Sequence, residues 1–488
     1  MKIGKSFDWN LLCSKMTSTK TGLLHFKREK TMKDISSLKH VERSLPGGGL
    51  ILVLNTGALI GPEAEAMLQA LHSRSTGGVK EHLEVLKKRG PEKFMETFYV
   101  GYGHKSIGDC GTATIFIEGV SMLVAKAVQD WPLYSGQEAS TRFIDFSKQP
   151  FLNPANILGG EEILKALRRL YLHALDEIVP VLVTRHPKQD GEDEKKYEKA
   201  IKARGFDIAR SLLPAGAFTN LAWHTNLRQA ADKLSWIKFH PLAEVREVAL
   251  AVEDALREAF PSSFGGKTHP ESEEYCRAMM DEYYLDVKYC PDFTVTHDNI
   301  DRKLLEKYRK ALERRPNRHT ELPKHISECG TMRFEFMLDF GSFRDIQRQR
   351  AVTQRMPLVT TRHGFEPWYL EQMSDVLRGA VKAVLNESEN NTEFLLKSLR
   401  IDPSVAQYYV PMGYRLPNHL TGNLHALVYL AELRAASVVH PTLQIRAHQI
   451  ARELRERFGP YGLVLYTDEA VGRFDVKRGG HDIVKKEE

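Results

Sequence analysis

Cysteine is scarce in this chain of 488 residues. The five that occur, Cys13, Cys110, Cys276, Cys290 and Cys329, show none of the paired spacings of a zinc site or a disulfide framework. A structural metal or disulfide staple is therefore not expected. Long apolar runs are missing too: nothing approaches the roughly 20 residues that span a bilayer, so no membrane partner is expected. The Lys-, Ser- and Thr-rich N-terminus through about Leu45 has no apolar signal core. The expectation is a cytoplasmic protein with a basic extension over residues 1–45. No strong excess of one charge occurs either; a net charge of +6 suits phosphate ligands, nucleic acid or solubility alike. With 42% hydrophobic and 27% charged residues the composition is globular, and the length implies two domains.

What is present is repetition. Asp109-Cys110-Gly111-Thr112 returns as Glu328-Cys329-Gly330-Thr331. Pro214 precedes Asn226 by the interval that separates Pro411 from Asn423. His240-Pro241 and His440-Pro441 each open an amphipathic helical pattern. Markers recurring in one order predict a tandem duplication, with domains over 46–285 and 286–480. Strands are expected at Leu50–Leu54 and near Ala113–Ile117, and helices over 64–71, 81–88 and Val120–Val128. The charged stretch 191–202 reads as a solvated loop or helix face, and a basic helix is expected over 304–315.

The two copies carry different chemistry. The first holds Ser135-Gly136-Gln137-Glu138-Ala139-Ser140-Thr141-Arg142-Phe143. If extended, it places Glu138, Ser140 and Arg142 on one face: an acceptor, a hydroxyl and a guanidinium suited to a nucleotide phosphate and a sugar hydroxyl. The bland alternative is a surface loop with an exposed Glu138–Arg142 pair of little energetic weight. The second copy has Met356, Leu358 and Thr360 where that cluster would fall, but carries Arg344, Arg348 and Arg355 at helical spacings before Pro357. So much guanidinium on one helix points to an anionic partner, a pyrophosphate before a nucleic-acid backbone, because the aromatics of single-strand binders are missing; an ordinary solvated basic face is the alternative. Arg434 and Arg446 add further candidates, while His240 and His440 before helix starts read as capping or packing residues first.

At these residues the chain resembles the flavin-dependent thymidylate synthases, whose signature runs Arg-His-Arg, two residues, Ser-x-Asn-Glu-x-Ser-x-Arg-Tyr. The match is divided. The first copy supplies Ser135-x-Gln137-Glu138-x-Ser140-x-Arg142-Phe143 but reads Asp130-Trp131-Pro132 for Arg-His-Arg; the second supplies Arg348-Gln349-Arg350. The family's upstream His-x-Thr/Ser-x-x-Glu is matched by His104-x-Ser106-x-x-Asp109, with only Glu328 in the second copy, and its Asn-x-Arg by Asn226-x-Arg228. The resemblance implies an α/β (α+β) fold of two tandem domains, each a sheet flanked by helices, forming an intrachain pseudo-dimer. It also implies FAD as cofactor and one composite site that converts dUMP to dTMP with methylenetetrahydrofolate and NADPH. On it, Ser140, Arg142 and Arg446 are the catalytic candidates, with Glu138, Arg228 and Arg348 also binding substrate. His104, Ser106, Asp109, Arg348, Gln349, Arg350, Arg434 and His440 would face the cofactor. Two chains would pair into a tetramer-like homodimer. Losses in each copy leave open a catalytically diverged flavin- or nucleotide-binding relative, or an enzyme acting on another pyrimidine nucleotide.

Overall fold

The computed structural model describes residues 40–54, 61–74, 84–86, 88, 90–101, 105–142, 145–264 and 269–468. Two antiparallel sheets form the frame. The first runs β1 (His40–Ser44), β2 (Leu50–Leu54), β3 (Thr112–Ser121), β5 (Phe218–Asn226) and β4 (Ser135–Glu138), in that spatial order. It takes in His40–Ser44, so the last residues of the expected 1–45 extension are a strand of the sheet. The second runs β7 (Phe293–Asp298), β8 (Thr331–Asp339), β11 (Arg415–Asn423) and β9 (Thr353–Gln354). Alternation explains the central strands: Ala113, Ile115 and Ile117 of β3 point into the core, as do Met332, Phe334 and Phe336 of β8. A short parallel pair, β6 (Tyr284–Leu285) with β10 (Met356–Pro357), lies apart from both sheets. Helices cover the sheets, so the architecture is mixed α/β as expected, and no helix among the described residues is long and apolar enough to cross a membrane.

Each half runs through the same sequence of elements. Strand β3 passes into α1 (Met122–Gln129), whose cap Ser121 accepts from the Val124 amide at 3.3 Å; β8 passes into α5 (Phe340–Ile346), whose cap Asp339 accepts from the Ser342 amide at 2.9 Å. The recurring asparagines are caps as well. Asn226 starts α3 (Leu227–Ile237) and Asn423 starts α7 (Leu424–Arg434), each accepting an amide of the first turn. The long helices α2 (Gly160–Arg185) and α6 (Asp375–Lys397) pack on one another, and one continuous core includes residues of both halves.

The halves meet about a local two-fold. Pro214 bridges Pro411, the Ala215 amide donates to Val410 O (2.9 Å) and the Met412 amide returns the bond to Leu213 O (2.8 Å). Gly216 to Tyr408 O (3.1 Å) and Gly413 to Ser211 O (2.8 Å) repeat the reciprocity one step out. Residue i meeting j while j's counterpart meets i's counterpart is the pattern of an isologous dimer contact, here within one chain.

Several expectations change. Helix α4 (Ala243–Ala259) is capped at Leu242, whereas α8 (Pro441–Phe458) is capped by His440 itself. The two His-Pro pairs are therefore out of step: Glu244, second in α4, corresponds to Thr442, second in α8. Residues 194–209 form a full helix started by the Asp193 cap, and the basic segment breaks into Arg302–Lys307 and Arg309–Glu313. The expected helix over 81–88 and the break at Gly101-Tyr102-Gly103-His104 lie partly outside the described residues.

Candidate functional site

Strand β4 lies against β5, Glu138 opposite Leu221, and this pairing carries the Glu138 carboxylate under α5 of the other half. Arg344 of α5 ion-pairs with Glu138 and donates to Ala139 O (3.3 Å) and Thr141 Oγ1 (3.2 Å). From below, Lys126 Nζ and Gln129 Nε2 of α1 both reach Glu138 Oε2 at 2.8 Å. Burial alone would push this carboxyl up, but the Arg344 and Lys126 charges prevail and hold it down at about 2. Burial also brings the Lys126 ammonium down to about 8, against the pull of Glu138. Extended chain ends at Glu138, so the expected face of Glu138, Ser140 and Arg142 does not form; a turn instead directs Glu138 and Thr141 to the same arginine.

Arg142 turns to the fully buried Asp207, with Nε to Oδ1 at 2.7 Å and Nη2 to Oδ2 at 3.3 Å, and also donates to Val438 O (3.1 Å). Arg210 reaches Ser342 Oγ (3.2 Å) and stands 3.9 Å from Asp345; Arg434 donates to the Asp345 carbonyl (2.5 Å). Burial would raise the Asp345 carboxyl, but Arg210, Arg142, Arg434 and Arg344 hold it low. Arg348 is exposed, with Gln137 Oε1 at 3.5 Å, and Arg350 donates to Tyr134 O. Glu138, Arg142, Arg210, Arg344, Asp345 and Arg348 line a cleft of about 50 Å³ between the halves, with Ser140, whose hydroxyl accepts from the Arg142 amide, on its wall. Four buried polar atoms around it, Nε of Arg210, Arg344 and Arg434 and Oδ2 of Asp345, make no hydrogen bond. Five guanidiniums, of Arg142, Arg210, Arg344, Arg348 and Arg434, thus gather against the carboxylates of Glu138, Asp207 and Asp345. An anion relieves that imbalance.

Other predicted residues fall elsewhere. Asp109 and Arg228 meet each other at 2.7 Å, with Ser106 exposed on the short helix before them. His104 and Phe143 lie outside the described residues. Arg446 is held by both oxygens of Asp292 (2.7 and 2.8 Å) and by Gln449, and does not line the cleft. His440 is a fully buried helix cap whose imidazole burial drives down; its Nε2 lies 3.2 Å from Asp207 O, so it supports the segment that anchors Arg142. Helix α5 stops at Ile346, and Arg348-Gln349-Arg350 lie beyond it, while Arg355 donates to Glu282 O (2.7 Å) and Tyr284 O (3.3 Å). The arginines therefore share no single helix face. Gln349 accepts through its carbonyl from Gln354 at 3.4 Å.

Sequence reading missed Lys126, Asp207, Arg210 and Asp345. Lys126 had a signal: a lone charge amid the apolar residues of α1 is buried only with a partner. Asp207 and Arg210 come from one segment and Asp345 from another far along the chain, with no motif to join them.

The counterpart of the cleft is closed. Met356 and Leu358 replace Glu138 and Ser140 and are 3% and 6% exposed. Strand β6 pairs with β10 over Met356–Pro357, and Gln347 Nε2 donates to Lys126 O at 3.1 Å across the same face.

Residues 60–262 match the family model described as thymidylate synthase complementing protein. Along most of its length the chain is similar to the UPF0159 protein of Chlamydia pneumoniae, 23% identical over 93% of this chain and 96% of the relative. It is similar also to the UPF0159 protein of Thermoplasma acidophilum, 24% identical over 80% and 93%. A flavin-dependent thymidylate synthase of Corynebacterium efficiens is 25% identical over 37% of this chain and 74% of its own length. The family match thus covers residues 60–262, less than half of the chain.

Proposed function

We propose that the chain is a tandem duplication, with domains over 46–285 and 286–480, that acts as a flavin-dependent thymidylate synthase-like enzyme through one composite site. The observation that carries this reading is the cleft itself: Arg344 and Arg348 from the second half meet Glu138, Ser140 and Arg142 from the first, amid guanidinium nitrogens without hydrogen bonds. In this reading the nucleotide phosphate binds Arg142 and Arg348, the latter exposed and pre-positioned, with Arg210 and Arg434 adding positive potential. Glu138, kept ionised, is an acceptor for a ribose hydroxyl. The donor set fits a phosphate, while about 50 Å³ holds no purine, pyrimidine or flavin ring. Rings therefore lie at the rim, or enter as Arg344 and Glu138 part. Arg348 and Arg350, at that rim, would hold the phosphates of FAD; when bound, FAD supplies the redox chemistry, NADPH the reducing equivalents and methylenetetrahydrofolate the one-carbon unit. Two chains would form a homodimer with two composite sites.

A second reading has its own support. Both oxygens of Glu138 already have protein partners, which suits a nucleotide- or flavin-binding relative without turnover. Incubation with dUMP, methylenetetrahydrofolate, NADPH and FAD, with mass-spectrometric detection of dTMP, separates the two. The enzyme reading expects dTMP from the natural chain and none from Arg348→Ala or Arg142→Ala; bound flavin and dUMP without dTMP select the second.

A further inference from the structure

A larger cavity, about 490 Å³, opens on the first half's side beside Ser121 and Glu244, with Val405 and Tyr408 of the second half in its wall and none of the residues of the cleft. Its origin is clear from the two-fold. Leu152 donates to Gly216 O as Glu366 donates to Gly413 O, so the segments that follow, Pro154–Asn156 and Pro367–Glu371, occupy corresponding places. In the second half that segment inserts Trp368 and Tyr369, ring centroids 5.2 Å apart, and the Tyr369 hydroxyl donates to Asp339 Oδ1 at 2.8 Å. The corresponding segment of the first half, Pro154–Asn156, brings no aromatic, and Phe218 and Tyr408 only flank the space. Asn156 turns out in a left-handed conformation (φ 48°) and the space stays open.

The chemistry of the walls changes with the space. Where α8 has Thr442 and Ile445, α4 has Glu244 and Glu247, and both carboxylates line the cavity. Glu244 accepts from the Ser121 amide (2.9 Å) and hydroxyl (2.6 Å) and from Tyr408 (2.8 Å), which fixes it in place, while Glu247 is exposed. No lysine or arginine lines the cavity, and Leu152, Phe218, Leu242 and Val405 give it an apolar body. We infer that this cavity is a binding site for a small organic cation with a flat aromatic body, whose ring takes the place that Trp368 and Tyr369 fill in the other half and whose charge faces Glu247. Its size is that of ordinary small-molecule sites.

Tryptamine, an indole with an ammonium group, is the probe, and indole-3-acetate its acidic control, each titrated into the full chain by calorimetry. One tryptamine per chain is expected, with indole-3-acetate at least tenfold weaker and dUMP not competing. Glu247→Gln, at an exposed position, should weaken tryptamine about fivefold, the worth of a partly exposed ion pair. Gly47→Trp should abolish binding with the melting temperature retained, because a Cβ there meets only the Phe218 ring, at 3.7 Å, and the indole grows into the cavity. Equal binding of the two probes, no binding of tryptamine, or tryptamine binding unchanged by Glu247→Gln overturns the inference, whether or not Gly47→Trp folds.

Discussion

The open cleft and its closed counterpart are made of the same strands and helices, yet one gathers guanidiniums around a carboxylate and the other has Met356 and Leu358 in the carboxylate's place. Lys126 and Arg344 occupy the same position past the caps of α1 and α5, and both turn to Glu138. On the other side of the two-fold Met356 stands in place of that carboxylate, and Tyr284–Leu285 closes over it as a strand. On the proposed duplication, polar machinery can concentrate in one cleft while the other is packed, since only one needs to admit a ligand. The price of the charged side is that every buried ion must keep its partner.

The largest expected effect breaks the charged side. Arg344→Met leaves Glu138 with only Lys126 and Gln129, both on Oε2, and should lower unfolding free energy by about 3–5 kcal/mol in denaturant titration; a loss under about 1 kcal/mol would show that the pair is not formed. Acid sharpens the same point. Glu138 sits near 2 in the folded chain against an ordinary value near 4.5, so its contribution is complete above about 4.5 and is lost as pH falls towards 2. That loss is on the order of 3 kcal/mol, and the corresponding part of the pH slope should vanish in Glu138→Gln.

Smaller effects separate rim from core. Arg348→Ala should leave stability within about 0.5 kcal/mol, because the side chain is exposed, while weakening inorganic phosphate binding about tenfold in calorimetry. Met356→Leu in the closed counterpart, a volume-conserving change, should cost less than about 1.5 kcal/mol and leave phosphate binding unchanged.

Apolar runs made β2 and α1 legible in the sequence, since Ile51–Val53 and the whole of α1 are buried, and alternation did so for β3. The repeated asparagines and the divided motif pointed to two halves sharing one site, and Glu138, Ser140, Arg142 and Arg348 do line one cleft. The rest depended on contacts between distant segments. That Arg142 would pair with Asp207 rather than stand beside Glu138 follows from a helix sixty-odd residues away, and α5 ends at Ile346, well before Pro357. His240 and His440 looked equivalent because their neighbours match, yet the turn before α8 has a different length, which moves the cap by two positions.

The most direct test of the composite site is the stoichiometry of dUMP binding to the FAD-reconstituted chain, by calorimetry, with Arg348→Ala and Arg142→Ala alongside. One dUMP per chain, lost on substitution from either half, is the predicted result; two equal sites per chain, or binding indifferent to both substitutions, would contradict it.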